Sequence, residues 1–109
     1  MIERRLLNGQ NFAFVGYLPQ DATARTQRIR DLESHALKTG QTQIMIETPY
    51  RNAALFTALI QTLRVQTRLS VASALTMPQA FCKTASVDAW RAQPAMTTLA
   101  LPTVFLLGP

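Results

Sequence analysis

Two short apolar runs enclose one helical segment, and this order constrains the fold more than any other feature of the sequence. The runs are Phe12–Tyr17 and Gln41–Glu47, both of strand length and rich in aromatic or β-branched residues. Between them, Ala22–Lys38 has helical spacing, with Asp21 placed as an N-cap and Gly40 as a left-handed stop. A helix between two strands is typical of a right-handed crossover that joins parallel strands. The sequence therefore begins as a β-α-β unit.

The rest of the sequence continues this alternation. Thr48-Pro49 predicts the start of a second helix, because Thr can cap a helix and Pro fits its first position. Further strands are predicted at Thr67–Leu75, Ala80–Thr84 and Thr103–Leu107, with a short helix at Val87–Ala92 capped by Ser86. The order β-α-β-α-β-β-α-β predicts an α/β fold. We expect a mixed, largely parallel sheet of about five strands flanked by helices, in which the later β-β pair adds an antiparallel part.

Length and composition limit the class of protein. The 109 residues correspond to one domain, and 48% hydrophobic residues exclude a disordered chain. The net charge of +5 is spread along the sequence, which favours a solvated surface over a dedicated polyanion site. The single cysteine excludes an internal disulfide, and the single histidine lacks partners for a metal site. Without a signal-peptide pattern or a membrane-length apolar run, we expect a soluble, cytoplasmic domain that does not contact membranes.

Polar residues follow the second predicted strand. In open α/β sheets, ligands bind beyond the carboxyl ends of strands, and the N-terminus of a helix favours anions. Here a carboxylate, a hydroxyl, an aromatic ring, a guanidinium and an amide lie within Glu47–Asn52. The alternative interpretation is structural: Thr48 only caps the helix, Glu47 only pairs with Arg51, and Tyr50 only covers the edge of the sheet. The spacing alone leaves both interpretations open.

Other candidate residues have structural interpretations. The strand ends at Gly16–Pro19 and Ala74–Pro78 satisfy the same rule of sheet topology but carry fewer polar groups. Cys82 is interpreted as a buried side chain that only fills space in the core, on the opposite face of its strand from Lys83. Trp90 is interpreted as the residue that anchors the short helix to the core. The sequence contains no dinucleotide fingerprint, phosphate-binding loop or nucleophile elbow. We therefore assign no catalytic residue.

Three segments together resemble a known family. Asn11–Pro19, Ile46–Asn52 and Pro102–Leu107 resemble segments in the C-terminal half of the tetrapyrrole (corrin/porphyrin) methylase family. The branch they resemble most includes the ribosomal RNA ribose 2′-O-methyltransferase of the small subunit. The resemblance extends over about residues 8–108 and depends on the spacing of the paired motifs.

The resemblance implies a two-domain enzyme that binds S-adenosylmethionine in the cleft between its domains and forms homodimers. The cofactor motifs of the family's first domain are absent here, which implies a missing N-terminal domain as partner. Residues 11–109 then form the C-terminal methyltransferase domain, and residues 1–10 a lead-in or interdomain remnant. The methyl acceptor would be a tetrapyrrole or RNA.

The resemblance also implies which residues bind the cofactor. By position, the matching residues are Glu47, Thr48, Pro49, Tyr50, Arg51, Asn52, Ala74, Leu75, Thr76 and Pro78. Phe14, Gly16, Tyr17 and Pro19 match the segment nearest the domain junction. We expect this half alone to bind cofactor weakly and to catalyse nothing. The alternatives are a stand-alone basic RNA-binding module and a dimerisation domain without catalysis.

Overall fold

The computed structural model describes residues 11–73, 81–92 and 101–109. In chain order the elements are β1 (Phe12–Tyr17), α1 (Ala22–Thr39), β2 (Thr42–Ile46), a 3-10 turn (Pro49–Arg51), α2 (Asn52–Thr62), β3 (Arg68–Ser73), β4 (Phe81–Ser86), α3 (Val87–Arg91) and β5 (Thr103–Gly108). The predicted order of strands and α-helices is confirmed. No described helix is long and apolar enough to cross a membrane.

Local capping signals define the helix ends. The Asp21 carboxylate accepts a hydrogen bond of 2.9 Å from the backbone N–H of Ala24. At the other end of α1, Gly40 has a φ of 76° and donates its N–H to the Ala36 carbonyl at 2.8 Å. The Ser86 hydroxyl caps α3 in the same manner as Asp21 caps α1. The three predicted caps are therefore confirmed. They are predictable from the sequence because each depends on interactions within a few residues.

The sheet is mixed, with strand order β1-β2-β5-β3-β4. Among the described strands, β1 and β2 pair in parallel, whereas β5 is antiparallel to both β2 and β3, and β3 is antiparallel to β4. The expectation of a largely parallel sheet is therefore wrong, although five strands and an antiparallel β3–β4 pair are confirmed. The physical reason is that the last strand inserts between β2 and β3 instead of adding to an edge.

The main core lies on one face of the sheet. Buried side chains of α1, α2 and α3 pack there against side chains of the central strands. Phe105 and Leu107 of β5 are completely buried in this cluster. A second, smaller cluster on the other face consists of Ile44 and Leu106, with Val104 packed against them.

Trp90 anchors α3 to the core, as expected. Its ring lies edge-to-face with Phe56 at a centroid distance of 5.4 Å, and its Nε1–H donates to the Leu69 carbonyl at 2.8 Å. The Lys83 ammonium lies over the same ring at 5.1 Å, which places it on the helix side of β4. Cys82 points to the other face and is exposed, so its interpretation as a buried side chain is wrong. The reason is that β4 is an edge strand.

A buried carboxylate connects α1 to the segment before β3. Glu33 is only 5% exposed and accepts hydrogen bonds from the backbone N–H of Arg64, at 2.8 Å, and from the Thr67 hydroxyl. These bonds span more than 30 positions of sequence and offset the cost of burying the charge. The contact therefore orients α1 relative to the loop that leads into β3.

We predict that Glu33→Ala destabilises the protein by about 2–3 kcal/mol, because it leaves the buried Thr67 hydroxyl and the part-buried Arg64 N–H without their acceptor. Asp31→Ala is the matched control, since Asp31 is exposed and accepts a hydrogen bond from Gln27 in the adjacent turn; it should cost about 0.5 kcal/mol or less. Urea denaturation measures both values. Equal losses for the two variants would contradict this role of Glu33.

Candidate functional site

Three strands end together at one edge of the sheet. Because β1 and β2 are parallel, and β5 is antiparallel to both β2 and β3, the carboxyl ends of β1, β2 and β3 meet at this edge. The start of β5 lies at the same edge. We call this region the carboxyl edge; its described residues are Leu18, Glu47–Arg51 and Leu101–Thr103. It is the position where open α/β sheets bind ligands.

Asn52 ties two parts of the carboxyl edge together. Its side chain is completely buried at the start of α2, and Nδ2 donates to the Leu101 carbonyl at 2.9 Å. The Thr103 hydroxyl hydrogen-bonds the same carbonyl at 2.7 Å and pairs with the Ser73 hydroxyl at 2.9 Å. The start of α2, the end of β3 and the start of β5 are therefore linked by polar contacts. Asn52 was predicted as a cofactor residue, but its observed contact is internal.

Thr48 occupies the cap position before the 3-10 turn without capping it through its side chain. Its backbone N–H donates to Glu47 Oε1 at 2.8 Å, and its carbonyl accepts from the Arg51 N–H at 2.8 Å. Its hydroxyl oxygen is buried and has no hydrogen-bond partner among the described residues. The side-chain cap predicted for Thr48 is therefore wrong, because a 3-10 turn separates this residue from α2. A buried hydroxyl in this state can hydrogen-bond a ligand.

The Tyr50 ring projects into solvent and is 77% exposed. The Arg51 guanidinium lies over it at 5.1 Å from the ring centroid. Within the described residues no ion pair joins Arg51 to Glu47, and Tyr50 does not cover the sheet edge. The purely structural roles considered for Thr48, Glu47 and Tyr50 thus receive no support from the geometry.

The carboxyl edge offers binding chemistry without a reactive group. It presents an exposed ring beside a cation, a buried hydroxyl and a carboxylate, all within five consecutive residues. Such groups can stack on a planar ring and hydrogen-bond polar atoms. Among the described residues, no group of three or more His, Cys, Asp or Glu could hold a metal ion. This chemistry suits a site that positions a ligand.

The predicted site residues fall into three groups. The structure brings Glu47, Thr48, Pro49, Tyr50 and Arg51 together at the carboxyl edge, with Asn52 buried behind them. The predicted cofactor residues Ala74, Leu75, Thr76 and Pro78 lie outside the described residues. Sequence reasoning missed Leu101 and Thr103, which reach this edge because β5 inserts between β2 and β3.

The residues assigned to the domain junction lie on and after β1. Phe14 and Tyr17 are exposed, whereas Leu18 turns into the core at 4% exposure. Gly16 has a φ of 74°, a left-handed conformation that favours glycine. The single histidine, His35, is exposed, and its Nε2 hydrogen-bonds Gln41 Oε1 at 3.0 Å.

Comparison with solved structures identifies methyltransferases with a similar fold. The methyltransferase CobJ matches with a TM-score of 0.53 and 16% identity over 92% of this chain. The cobalamin biosynthetic enzyme cobalt precorrin-4 methyltransferase, CbiF, matches with a TM-score of 0.52 and 15% identity over 94%. The chain shares its fold with methyltransferases.

The chain spans less than half of these methyltransferases, 41% of CobJ and 43% of CbiF. Uroporphyrin-III C-methyltransferase from Thermus thermophilus, in a structure with S-adenyl homocysteine, aligns with a TM-score of 0.46 and 16% identity over 98% of this chain and 44% of that protein. Neither a protein-family profile nor a curated protein matches the sequence.

We predict that Asn52→Ala loosens the carboxyl edge and lowers stability by about 2 kcal/mol, because the Leu101 carbonyl loses the donor that the buried Asn52 side chain provides. Amide hydrogen exchange should accelerate at Leu101 and Thr103, whereas exchange in α1 changes only with global stability. Thr57→Ala, at an exposed position of the same helix, is the control and should leave both regions unchanged. Unaltered exchange at Thr103 in Asn52→Ala would contradict the proposed link between Asn52 and the start of β5.

Proposed function

We propose that this chain supplies one wall of an S-adenosylmethionine-binding cleft in a two-domain methyltransferase. The observation that carries the proposal is the geometry at Thr48–Arg51, where a buried hydroxyl and an exposed ring with its cation meet at the carboxyl edge. The shared fold with CobJ and CbiF and the resemblance of Ile46–Asn52 to the tetrapyrrole methylase family support it. An N-terminal domain would supply the other wall.

Each group at the edge has a defined task in this proposal. When bound, S-adenosylmethionine supplies an electrophilic methyl group, which passes directly to a nucleophilic acceptor. The Tyr50 ring offers a stacking surface for adenine, and the Thr48 hydroxyl a hydrogen bond to a polar atom of the nucleoside. Peptide groups of the turn supply further hydrogen bonds. Alignment and exclusion of water account for catalysis, which requires no covalent nucleophile from the protein.

The chain alone should form only half of the binding site. We propose that it binds S-adenosylmethionine weakly and is inactive without the N-terminal domain, and that the complete enzyme is a homodimer. Binding in the millimolar range corresponds to about 4 kcal/mol, which a few contacts on one wall can provide.

For the methyl acceptor we propose the RNA ribose branch, because the motifs at Asn11–Pro19 and Ile46–Asn52 resemble that branch most. The solved structure of CbiF belongs to cobalamin biosynthesis, so a tetrapyrrole is the competing acceptor. The two are distinguished by supplying the complete two-domain enzyme with tritiated S-adenosylmethionine and either small-subunit ribosomal RNA or uroporphyrin III. Label in the tetrapyrrole alone would contradict the RNA proposal.

We predict that S-adenosylmethionine shifts the backbone amide resonances of Glu47, Thr48 and Arg51 in an NMR titration of this chain. Tyr50→Ala should weaken binding about threefold to tenfold, because the stacking surface is lost. Gln61→Ala, at the exposed far end of α2, is the control and should leave the affinity unchanged. Unperturbed Glu47–Arg51 amides at millimolar ligand, or equal affinity of Tyr50→Ala and the wild type, would contradict the proposed wall.

A further inference from the structure

Three aromatic side chains form an exposed row along edge strand β1. Phe12, Phe14 and Tyr17 are 48%, 63% and 62% exposed. Their partners in β2 are Thr42, Ile44 and Ile46, which alternate along that strand and therefore share one face. We call Phe12, Phe14 and Tyr17 the aromatic row. It lies on the face opposite the main core, at the margin of the smaller cluster that contains Ile44.

A backbone irregularity at Gly16 aligns the third ring with the first two. In a regular strand, Phe14 and Tyr17 would point to opposite faces, because they are three positions apart. The register shifts between Phe14 and Gly16, and Gly16 adopts a φ of 74°. This bulge inserts one residue and returns Tyr17 to the face of Phe14. A Cβ at Gly16 would lie 3.8 Å from Cε2 of Phe14, so the Phe14 ring reaches the bulge.

The charge of this face complements a polyanion. Strand pairing places Arg68 on the same face as the row, because Arg68 pairs with Gly108, and Gly108 alternates with Leu106, the partner of Ile44. Arg68 is exposed, and pairing places no Asp or Glu of the described strands on this face. At the carboxyl edge, where the row ends, Arg51 contributes a cation and the half-buried Glu47 a carboxylate, so the charge argument depends on Arg68.

We propose that the aromatic row is a stacking platform for single-stranded RNA or DNA. Unpaired bases stack on exposed aromatic rings, while nearby cations contact phosphates. Three rings on one strand would receive successive bases, and Arg68, on the same face, would contact a phosphate. Paired bases cannot reach the rings, so the platform discriminates against duplexes. This site does not depend on the proposed methyltransferase function, since its rings lie on the sheet face and require no S-adenosylmethionine.

Fluorescence anisotropy with a fluorescein-labelled oligouridylate tests the platform. We expect the wild-type chain to bind this probe, to bind the same strand far more weakly when it is annealed to its complement, and to lose affinity steeply between about 50 and about 200 mM salt. Phe14→Ala and Tyr17→Ala should each weaken binding about tenfold. Leu37→Ala and Val65→Ala are the matched controls, because both side chains are exposed and apolar but lie outside the row; their affinities should equal that of the wild type.

Phe14→Leu separates base stacking from general apolar contact. Leucine retains much of the apolar surface but has no ring, so stacking predicts a loss close to that of Phe14→Ala, whereas Phe14→Tyr retains affinity. Circular dichroism confirms that the variants are folded. Absence of oligouridylate binding at low salt, unaltered affinity in the row variants, or sedimentation showing that the row instead joins two copies of the chain would each overturn the proposal. S-adenosylmethionine binding, measured separately, reports on the methyltransferase proposal alone.

Discussion

The insertion of β5 between β2 and β3 determines most of this structure. Its buried residues Phe105 and Leu107 complete the core against the helices, and Leu106 joins the small cluster on the opposite face. Because β5 is antiparallel to both neighbours, β2 and β3 run in the same direction and their carboxyl ends share an edge. The same insertion brings Leu101 to Asn52. Without β5, the helix-covered sheet would divide into two separate pairs of strands.

The sequence predicted the features that depend on nearby residues. The caps at Asp21, Gly40 and Ser86 and the order of the elements are local properties, and the structure confirms them. The position of β5 depends on pairing between residues 30 or more positions apart, which no local pattern reveals. This is why the expectation of a largely parallel sheet was wrong. The cap assigned to Thr48 failed for a smaller reason, because Thr-Pro also suits the start of a 3-10 turn.

The candidate site was located from the sequence, but its chemistry required the structure. The rule for strand ends selected Glu47–Asn52, and in the structure these residues differ in burial and in hydrogen bonding. Asn52 is buried and hydrogen-bonds the Leu101 carbonyl, Thr48 has a buried hydroxyl without a hydrogen-bond partner among the described residues, and Tyr50 has an exposed ring. The aromatic row was not predicted as a surface, because alternation places Phe14 and Tyr17 on opposite faces of a regular strand. The bulge at Gly16 reverses that placement.

Ultraviolet crosslinking with radiolabelled S-adenosylmethionine tests the central claim, that the carboxyl edge forms a wall of the cofactor cleft. After trypsin digestion, we expect label in the peptide spanning Thr39–Arg51, prevented by excess S-adenosylhomocysteine during irradiation and reduced in Tyr50→Ala. Label confined to α1 peptides between Thr26 and Lys38, or labelling of Thr39–Arg51 that the competitor does not prevent, would contradict the claim.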